Sequence, residues 1–484
     1  MNKTIKNQVQ LITYPDSLGE NLAELHYVLR RYLTDAIGGV HILPFYPSSG
    51  DRGFAPITYD IIDPAFGTWK DIERIGEDFD LIIDFMVNHI SRQSEYFRDY
   101  VENGKESKYA DMFLSFEKFS SDGEIPEEEL AKVYTRKPRP PYIMLDRKDG
   151  SREKIWCTFD TDQIDLDLES PVTQGVMRHD LINLARTNSK MIRMDAVAYA
   201  IKKIGTNCFF VEPEIWKILE WLKEYAQPFE TEILPELHEH YSYQLKLAEH
   251  GYWCYDFSLP MLVLNALYHH TAADLKNWLK ICPRKQITTL DTHDGIGVVD
   301  VADLMTREDI DRTIAGLYEK GSNVKRLHSD AEYDNLDIYQ VNCTYYSALG
   351  CNDDSYMAAR TIQFFTPGIP QVYYVGLLAG ENDIELVERM RNGRFINRHN
   401  FCLAEVKEAF EKPVVQRLLR LMRFRSSHPA FNGEFAIADT PDDRIELIWT
   451  HQDARATANI NLRTYETRVS YSYGGPDPIQ EFKV

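Results

Sequence analysis

Several features that would mark a membrane or secreted protein are missing from this 484-residue sequence. It contains no run of about 18 apolar residues, so no membrane-spanning helix is expected. The N-terminal stretch MNKTIKNQVQLITY lacks the apolar core and the small-residue cleavage site of a signal peptide. The seven cysteines include no CxxC pair, so they predict reduced thiols and not a disulfide framework or a zinc site. These absences together predict a cytoplasmic protein.

Positive charge is also scarce in the sequence. There are 54 Lys and Arg against 75 Asp and Glu, which gives a formal net charge of -21. A nucleic acid or an anionic membrane would be repelled, so neither is an expected partner. Any anion that binds needs a local basic pocket. The hydrophobic content of 44% with 12% aromatic residues predicts a packed globular protein.

Eight short apolar runs, most of them leading into polar clusters, predict the fold class. Helix-like segments such as 21–33 and 213–226 separate most of the runs, which is typical of βα units in a parallel sheet. Eight such units predict an α/β fold, a (β/α)8 TIM barrel, whose functional residues lie at the C-terminal ends of the strands. The runs are Val9–Tyr14, Gly39–Tyr46, Leu81–His89, Lys190–Val197, Thr231–His238, Tyr252–Leu259, Gln286–Asp294 and Ile369–Gly376.

Two intervals are too long for simple connections and predict inserted, loop-rich subdomains that shape a pocket. Pro413 fits the first turn of a helix running through Leu421, and the alternation of Ala458, Ile460 and Leu462 beyond it predicts a small C-terminal β-domain. The predicted division places the barrel in residues 1–89, 169–298 and 352–432, subdomain B in 90–168, subdomain B′ in 299–351, and the β-domain in 433–484.

Acidic and imidazole side chains occur at the ends of four predicted strands. Arg193 and Asp195 share one face of a strand, so the arginine is expected to hold the acid ionised. Three carboxylates around one pocket suit retaining glycosidic chemistry, which needs a nucleophile, a general acid/base and a stabiliser of positive charge. The residues at these strand ends are Asp84, Asn88 and His89, then Arg193 and Asp195, then Glu236 and His238, and finally His293 and Asp294.

Each of these residues alone has a simpler interpretation. An isolated Arg-x-Asp is usually a surface ion pair, and Glu236 alone would be a solvated loop acid. His293 with Asp294 could bind a metal, but a third ligand at a suitable spacing is missing, so neither a metal nor a cofactor is expected. The joint pattern is more specific than its members.

Longer motifs resemble a known family. DFMVNH, IRMDAVAY, EILPELHEHY and TLDTHDG are similar to the four motif regions of the α-amylase superfamily of glycoside hydrolases. GGVHILPFYPSSGDRGFAPITY, LDTHDGIGVVD and NLDIYQVN resemble its phosphorylase branch, and the likeness extends to about residue 430. The resemblance implies transfer of a glucosyl unit from sucrose to inorganic phosphate through a covalent intermediate on an aspartate, giving α-glucose 1-phosphate and fructose.

The resemblance also implies residue roles. Asp195 would be the nucleophile, Glu236 the general acid/base and Asp294 the transition-state stabiliser. The implied substrate-binding residues lie on a glucosyl side and an acceptor side. On the glucosyl side they are Asp51, Phe54, His89, Arg193, His293 and Arg394, bordered by Phe159, Gln163 and Tyr199, with His238 close to Glu236. On the acceptor side they are Tyr134, Arg136, Lys137, Arg139, Asp337, Tyr339 and Gln340.

The acceptor stays open at this stage. Gln340 favours plain sucrose, while Arg136 with Arg139 leaves sucrose 6′-phosphate possible, and similar proteins transfer to glycerol or glycerate. Arg136 and Lys137 are expected to offset the carboxylates around a bound phosphate. A hydrolase is an alternative, because water competes for the same intermediate. A non-catalytic amylase-fold subunit would be expected to lack one of the three acids. A monomer or a homodimer is expected.

Overall fold

The computed structural model describes residues 5–135, 139–147, 150–322, 340–474 and 478–484. Eight parallel strands form its central sheet: β1 (Gln10–Thr13), β2 (Gly39–Ile42), β3 (Asp80–Met86), β4 (Met191–Asp195), β5 (Glu232–Pro235), β6 (Cys254–Asp256), β7 (Gln286–Thr288) and β8 (Ile369–Tyr373). Their spatial order is β6-β7-β8-β1-β2-β3-β4-β5. The two end strands, β5 and β6, lie in contact, which brings the sheet close to a closed barrel.

Each barrel strand coincides with one of the eight predicted apolar runs. All residues of β1, β2, β3, β4 and β8 are buried, because helices cover one face of the sheet and the barrel interior fills the other. The predicted (β/α)8 barrel is therefore confirmed.

Helices cover the outside of the barrel, and those predicted at 21–33, at 213–226 and from Pro413 begin within one residue of the predicted position. The Asn21 side chain accepts the first free N–H groups of the helix Leu22–Val28, which continues as a π-helical turn over Leu29–Leu33. Pro413 begins a helix that ends at Ser427, later than the predicted end at Leu421. Within the described residues, the other α-helices are Trp69–Asp78, Glu95–Asn103, Glu127–Leu130, Pro171–Arg186, Glu214–Ala226, Tyr241–Glu249, Leu259–His269, Ala273–Ile281, Arg307–Glu319, Tyr345–Ala348, Asp353–Phe365, Tyr374–Leu377, Ile384–Met390 and Leu403–Glu411.

The long connection between β3 and β4 is rooted at the barrel mouth. Its strand His89–Ser91 directly follows β3 and pairs antiparallel with Gln163–Asp165, while Tyr142–Asp146 pairs with Arg152–Trp156 further out. A second short pair, Ile296–Gly297 with Gln340–Val341, follows β7. Both connections therefore place residues beside the C-terminal ends of the barrel strands.

Lys202 fastens the first connection to the barrel. Its buried ammonium donates to Asn88 Oδ1 at 2.8 Å and to the Tyr199 carbonyl, and it lies 2.9 Å from Asp165 Oδ2. These oxygens belong to the end of β3, to the inserted segment and to the loop after β4. One buried cation thus joins three chain segments next to the predicted site.

The C-terminal part of the chain forms a separate five-stranded sheet in which each strand pairs antiparallel with the next. It packs on the helices Asp353–Phe365 and Pro413–Ser427, with Trp449 Nε1 donating to the Phe365 carbonyl at 2.8 Å. This confirms a C-terminal β-domain, whereas the exact domain boundaries given above remain a proposal. The strands are Glu434–Ile437, Arg444–His451, Ala454–Asn461, Thr467–Ser472 and Gln480–Lys483.

Two further expectations concern cysteines and membrane helices. All seven cysteines lie in the described part of the chain, and none forms a disulfide. Across the described ranges, no helix has the length and apolar character needed to cross a membrane.

A buried ion pair fixes the loop that follows β7. Arg360, on the helix before β8, donates through Nη2 to both carboxylate oxygens of Asp291 at 2.8 Å. The Arg360 side chain is fully buried and also donates to Tyr356 and Gln363. A Cβ at Gly376 would lie 2.1 Å from atoms of both ion-pair partners, so this position requires glycine. The pair sets the path of the backbone leading to His293 and Asp294.

We expect Asp291→Ala to lower the free energy of unfolding by about 3–5 kcal/mol, because it leaves the Arg360 guanidinium buried without its counter-charge. Denaturant unfolding followed by circular dichroism measures the change. The matched control is Asp354→Ala, which removes the partially exposed partner of Arg417 at 2.7 Å and should cost less than about 1 kcal/mol. Equal losses in the two variants would contradict a structural role for the buried pair.

Candidate active site

Arg193 is a buried cation shared by acids from three neighbouring strands. Its Nη1 donates to Asp84 Oδ1 at 2.6 Å and to Asp195 Oδ1 at 2.8 Å, and its Nη2 lies 3.8 Å from Glu236 Oε1. The second oxygen of Asp84 accepts from His41 Nε2 at 2.8 Å. Because β3, β4 and β5 are adjacent in the sheet, their ends bring these groups together.

The predicted effect of Arg193 on Asp195 is correct in sign but incomplete. Burial raises the pKa of the Asp195 carboxyl well above its usual range, and the nearby carboxylates of Glu236, Asp84 and Asp294 act in the same direction. Arg193 opposes this shift without cancelling it. The expectation that Arg193 holds Asp195 ionised therefore stays a prediction. Close carboxyls of this kind titrate as a group and not as separate residues.

The backbone directly after Asp195 takes an uncommon conformation that positions Glu236. Ala196 has φ 52°, in the left-handed region, and its N–H donates to Glu236 Oε2 at 3.1 Å. The Glu236 N–H in turn donates to the Met194 carbonyl at 3.1 Å. Residues in this region are rare outside glycine and cluster at functional sites. The two acids are thus fixed relative to each other through the main chain.

Asp294, after β7, lies among cations from a distant segment. Arg394 donates through Nη2 to Asp294 Oδ1 at 3.1 Å and through Nη1 to Asp51 at 3.1 Å. Arg398 lies 3.8 Å from Asp294 and donates through Nε to the His293 carbonyl at 2.9 Å. Burial alone would raise the pKa of Asp294, but His293 and Arg394 hold it well below its usual range. Asp294 therefore remains an anion.

His293 and Phe54 form one apolar wall of the site. Their rings stack with centroids 4.9 Å apart and planes 5° apart. Burial lowers the pKa of His293 to about 3, and the nearby guanidiniums of Arg193 and Arg398 also lower it. His293 is thus a neutral imidazole near neutral pH. Since its folded-state pKa lies below the unfolded value, protonation of the unfolded chain reduces stability as the pH falls below about 6.5.

A second part of the wall contains residues of the first inserted segment. His89 Nε2 and Gln163 Nε2 lie 2.8 and 2.9 Å from the Phe54 carbonyl. The Phe159 ring lies 5.4 Å from His89 and 5.1 Å from Tyr199, measured between ring centroids. Burial lowers the pKa of His89, so this ring also favours its neutral form.

These groups surround a cavity of about 250 Å³ at the C-terminal end of the barrel. Most residues that the sequence assigned to a site lie on its wall. They are Asp195, Glu236, Asp294, Asp51, Phe54, His89, Phe159, Gln163, Tyr199, His238, His293, Gln340 and Arg394.

The remaining predicted residues fall into two groups: those that contact wall residues without lining the cavity, and those outside the described part of the chain. Arg193 reaches the cavity through its contact with Asp195. Tyr134 stacks on Tyr199, with ring centroids 6.4 Å apart. Arg139 donates to the carbonyls of Phe159 and Pro140, so its guanidinium is bound to backbone. Four predicted residues lie outside the described part of the chain: Arg136, Lys137, Asp337 and Tyr339.

Sequence reasoning assigned no role to several residues that form the site. Arg398 is four positions beyond the predicted Arg394 and directly follows the 3₁₀ turn Gly393–Asn397 that carries Arg394. His41 and Lys202 carry no local signal, because their partners are distant in sequence. The other unpredicted wall residues are Asp160, Ala196, Ala198, Phe209, Leu237, Asn342 and Asn392.

The fold and the carboxylates at the ends of β4, β5 and β7 suit a carbohydrate-active enzyme, and comparison with known proteins agrees. The family profile described as "Alpha amylase, catalytic domain" matches residues 24–257. The chain is an enzyme of the α-amylase superfamily.

Proteins with high sequence identity to this chain show which kind of α-amylase-superfamily enzyme it is. The sucrose phosphorylase of Streptococcus mutans is 50% identical over 470 residues, covering 96% of this chain and 98% of that protein. The glucosylglycerol phosphorylase of Marinobacter adhaerens is 45% identical over 469 residues, covering 97% of each. The crystal structure of a sucrose 6F-phosphate phosphorylase from Thermoanaerobacter thermosaccharolyticum matches with a TM-score of 0.95 at 47% identity, covering 99% of this chain and 98% of that one. The chain belongs to this family of glycosyl-transferring phosphorylases.

Proposed function

We propose that the protein is a retaining phosphorylase that converts sucrose and inorganic phosphate into α-glucose 1-phosphate and fructose. The observation that carries the proposal is the pairing of Asp195 and Glu236 at one cavity. Arg193 contacts both carboxylates, and the Ala196 N–H fixes the second beside the first. Two carboxyls held in this way are what a double displacement at an anomeric carbon requires. The family membership supplies phosphate as the natural acceptor.

The first step forms a covalent intermediate. An Asp195 carboxylate oxygen attacks the anomeric carbon of the glucosyl unit while the bond from that carbon to the fructosyl oxygen breaks. Glu236 gives its proton to the departing oxygen. Asp195 loses its charge on forming the ester, but Arg193 keeps Asp84 as a counter-ion at 2.6 Å. Asp294, held anionic by its cationic neighbours, stabilises the positive charge that develops on the sugar.

The second step transfers the glucosyl unit to phosphate. A phosphate oxygen attacks the same carbon from the face that fructose left, and the ester bond to Asp195 breaks. The proton of the attacking phosphate passes to Glu236, which restores the starting state. Two inversions at one carbon retain the α configuration.

The second candidate function is phosphorolysis of another glucoside on which similar phosphorylases act. Gln340 lines the cavity, and an uncharged amide there favours an unphosphorylated fructosyl group. Arg136 with Arg139 would instead favour sucrose 6′-phosphate, but the Arg139 guanidinium donates to the carbonyls of Phe159 and Pro140. The similarity to a sucrose 6F-phosphate phosphorylase and to a glucosylglycerol phosphorylase keeps these substrates relevant.

A direct assay compares sucrose, sucrose 6′-phosphate and glucosylglycerol as donors, each with and without inorganic phosphate. We expect the highest kcat/KM with sucrose, and cleavage that increases strongly when phosphate is added. A preference for sucrose 6′-phosphate or glucosylglycerol would transfer the proposal to that substrate. Cleavage at the same rate without phosphate would indicate a hydrolase.

Two variants test the roles of the acids. Asp195→Asn should reduce glycosyl transfer by several orders of magnitude with every donor, because covalent catalysis is lost. Glu236→Gln should abolish most sucrose cleavage but spare cleavage of α-glucosyl fluoride, whose leaving group needs no proton. Initial rates with the two donors give the comparison. Near-normal turnover in Asp195→Asn, or equal losses on both donors in Glu236→Gln, would remove the respective role.

A further inference from the structure

His238 and Asp300 form a buried pair directly behind Glu236. The His238 Nδ1 atom lies 3.8 Å from Asp300 Oδ2, and its Nε2 atom lies 3.9 Å from Glu236 Oε1. The imidazole stacks flat on Phe257, with ring centroids 3.6 Å apart and planes 13° apart. The ring therefore links an acid of the cavity to an acid outside it.

The surrounding chain holds Asp300 in a fixed position. It lies in the 3₁₀ turn Val299–Val301 and is 2% exposed, and its carbonyl accepts from Ser258 Oγ at 2.8 Å. A Cβ at Gly297 would lie 2.0 Å from Asp300 Oδ2 and 3.6 Å from His238 Nδ1. Only a glycine at this position leaves room for the carboxylate beside the ring.

The two imidazoles after β5 and β7 differ in how readily they take up a proton. Burial disfavours a charged His238, but the contact with Asp300 and the charges of Glu236 and Asp294 together raise its pKa above the usual value. His293 also has two acids near it, Asp294 and Asp84, but burial and the guanidiniums of Arg193 and Arg398 lower its pKa. One ring is therefore suited to carry a positive charge, and the other is neutral.

The charges at the cavity wall show why this cation matters. The guanidiniums of Arg394 and Arg398 contact Asp51 and Asp294. A phosphate that attacks the sugar beside Glu236 meets carboxylates there, and a close cation offsets their repulsion. The Arg193 guanidinium lies 3.8 Å from Glu236, and His238 faces the same carboxylate from the cavity wall.

We propose that Asp300 is a positioning residue that holds His238 as an imidazolium beside Glu236, where it binds the attacking phosphate. This inference rests on the proposed phosphorylase function. Asp300 itself does not touch the substrate and acts through the orientation and charge of the His238 ring.

The critical variant is Asp300→Asn, which keeps the shape of the side chain and removes its charge. We expect the KM for phosphate to rise about tenfold or more, while the KM for sucrose changes by less than about twofold. The pH profile should also shift. Without Asp300 the imidazolium loses its proton at a lower pH, so the phosphate kcat/KM should begin to fall at a lower pH than in the unmodified enzyme. The other titratable groups that influence this pair are Glu236, Asp294 and, behind Asp300, Asp256.

The matched control is a second histidine–aspartate pair in the same two loops. His240 Nε2 lies 3.3 Å from Asp303 Oδ2, but the Asp303 side chain is 84% exposed. Asp303→Asn makes the same chemical change away from the cavity and should leave both KM values and the pH profile unaltered. A further variant, His238→Gln, should reproduce the weaker use of phosphate seen with Asp300→Asn.

Calorimetric titration with inorganic phosphate gives a readout that does not depend on sucrose. Binding about tenfold weaker in Asp300→Asn than in Asp303→Asn supports the inference. Equal binding in the two variants, or an equal rise in both KM values, overturns it. If Asp300→Asn does not fold, unchanged phosphate binding in His238→Gln overturns it instead. A wild-type enzyme that binds phosphate but does not need it to cleave sucrose would overturn the proposed function and not this pair.

Discussion

The Arg193 guanidinium lies between the carboxylates of Asp84, Asp195 and Glu236, and the burial of these acids together depends on it. Moving a charge from water into a protein interior costs several kcal/mol, so a buried acid cluster requires close cations. Arg193 meets this requirement from the strand that carries Asp195, two residues earlier on the same face. Because the three acids come from β3, β4 and β5, their contacts with one guanidinium also set the relative positions of three strand ends.

Buried cations also hold together polar groups elsewhere around the cavity, with a different cation in each place. Arg394 joins Asp51 to Asp294, and Lys202 joins Asn88 and Asp165 at the root of the inserted segment. Each cation comes from a different part of the chain than its partners. The result is a cavity in which one acid is held anionic while another has a raised pKa. The proposed double displacement needs an acid that stays anionic to stabilise the positive charge on the sugar, and the cations around Asp294 keep that acid charged.

The fold and the central acids could be predicted from the sequence because both have local signals. Parallel strands are buried on both faces, so each of the eight reads as an apolar run, and the acids follow those runs directly. The net pKa shift of Asp195 could not be predicted, because it depends on burial and on carboxylates from other strands. Likewise, neither the left-handed Ala196 nor the pairing of His238 with Asp300 carries a local signal, since both depend on tertiary packing. The predicted phosphate-loop residues Arg136 and Lys137 remain a prediction.

The central claim is that Asp195 takes up the glucosyl unit and passes it to phosphate with retention of configuration. Proton NMR of the fresh reaction of sucrose with inorganic phosphate tests it most directly, because the anomeric proton of the first product reports the configuration before any later change. The account predicts α-glucose 1-phosphate as the initial product, with fructose released in equal amount. Initial formation of β-glucose 1-phosphate would show a single displacement and would contradict the role assigned to Asp195.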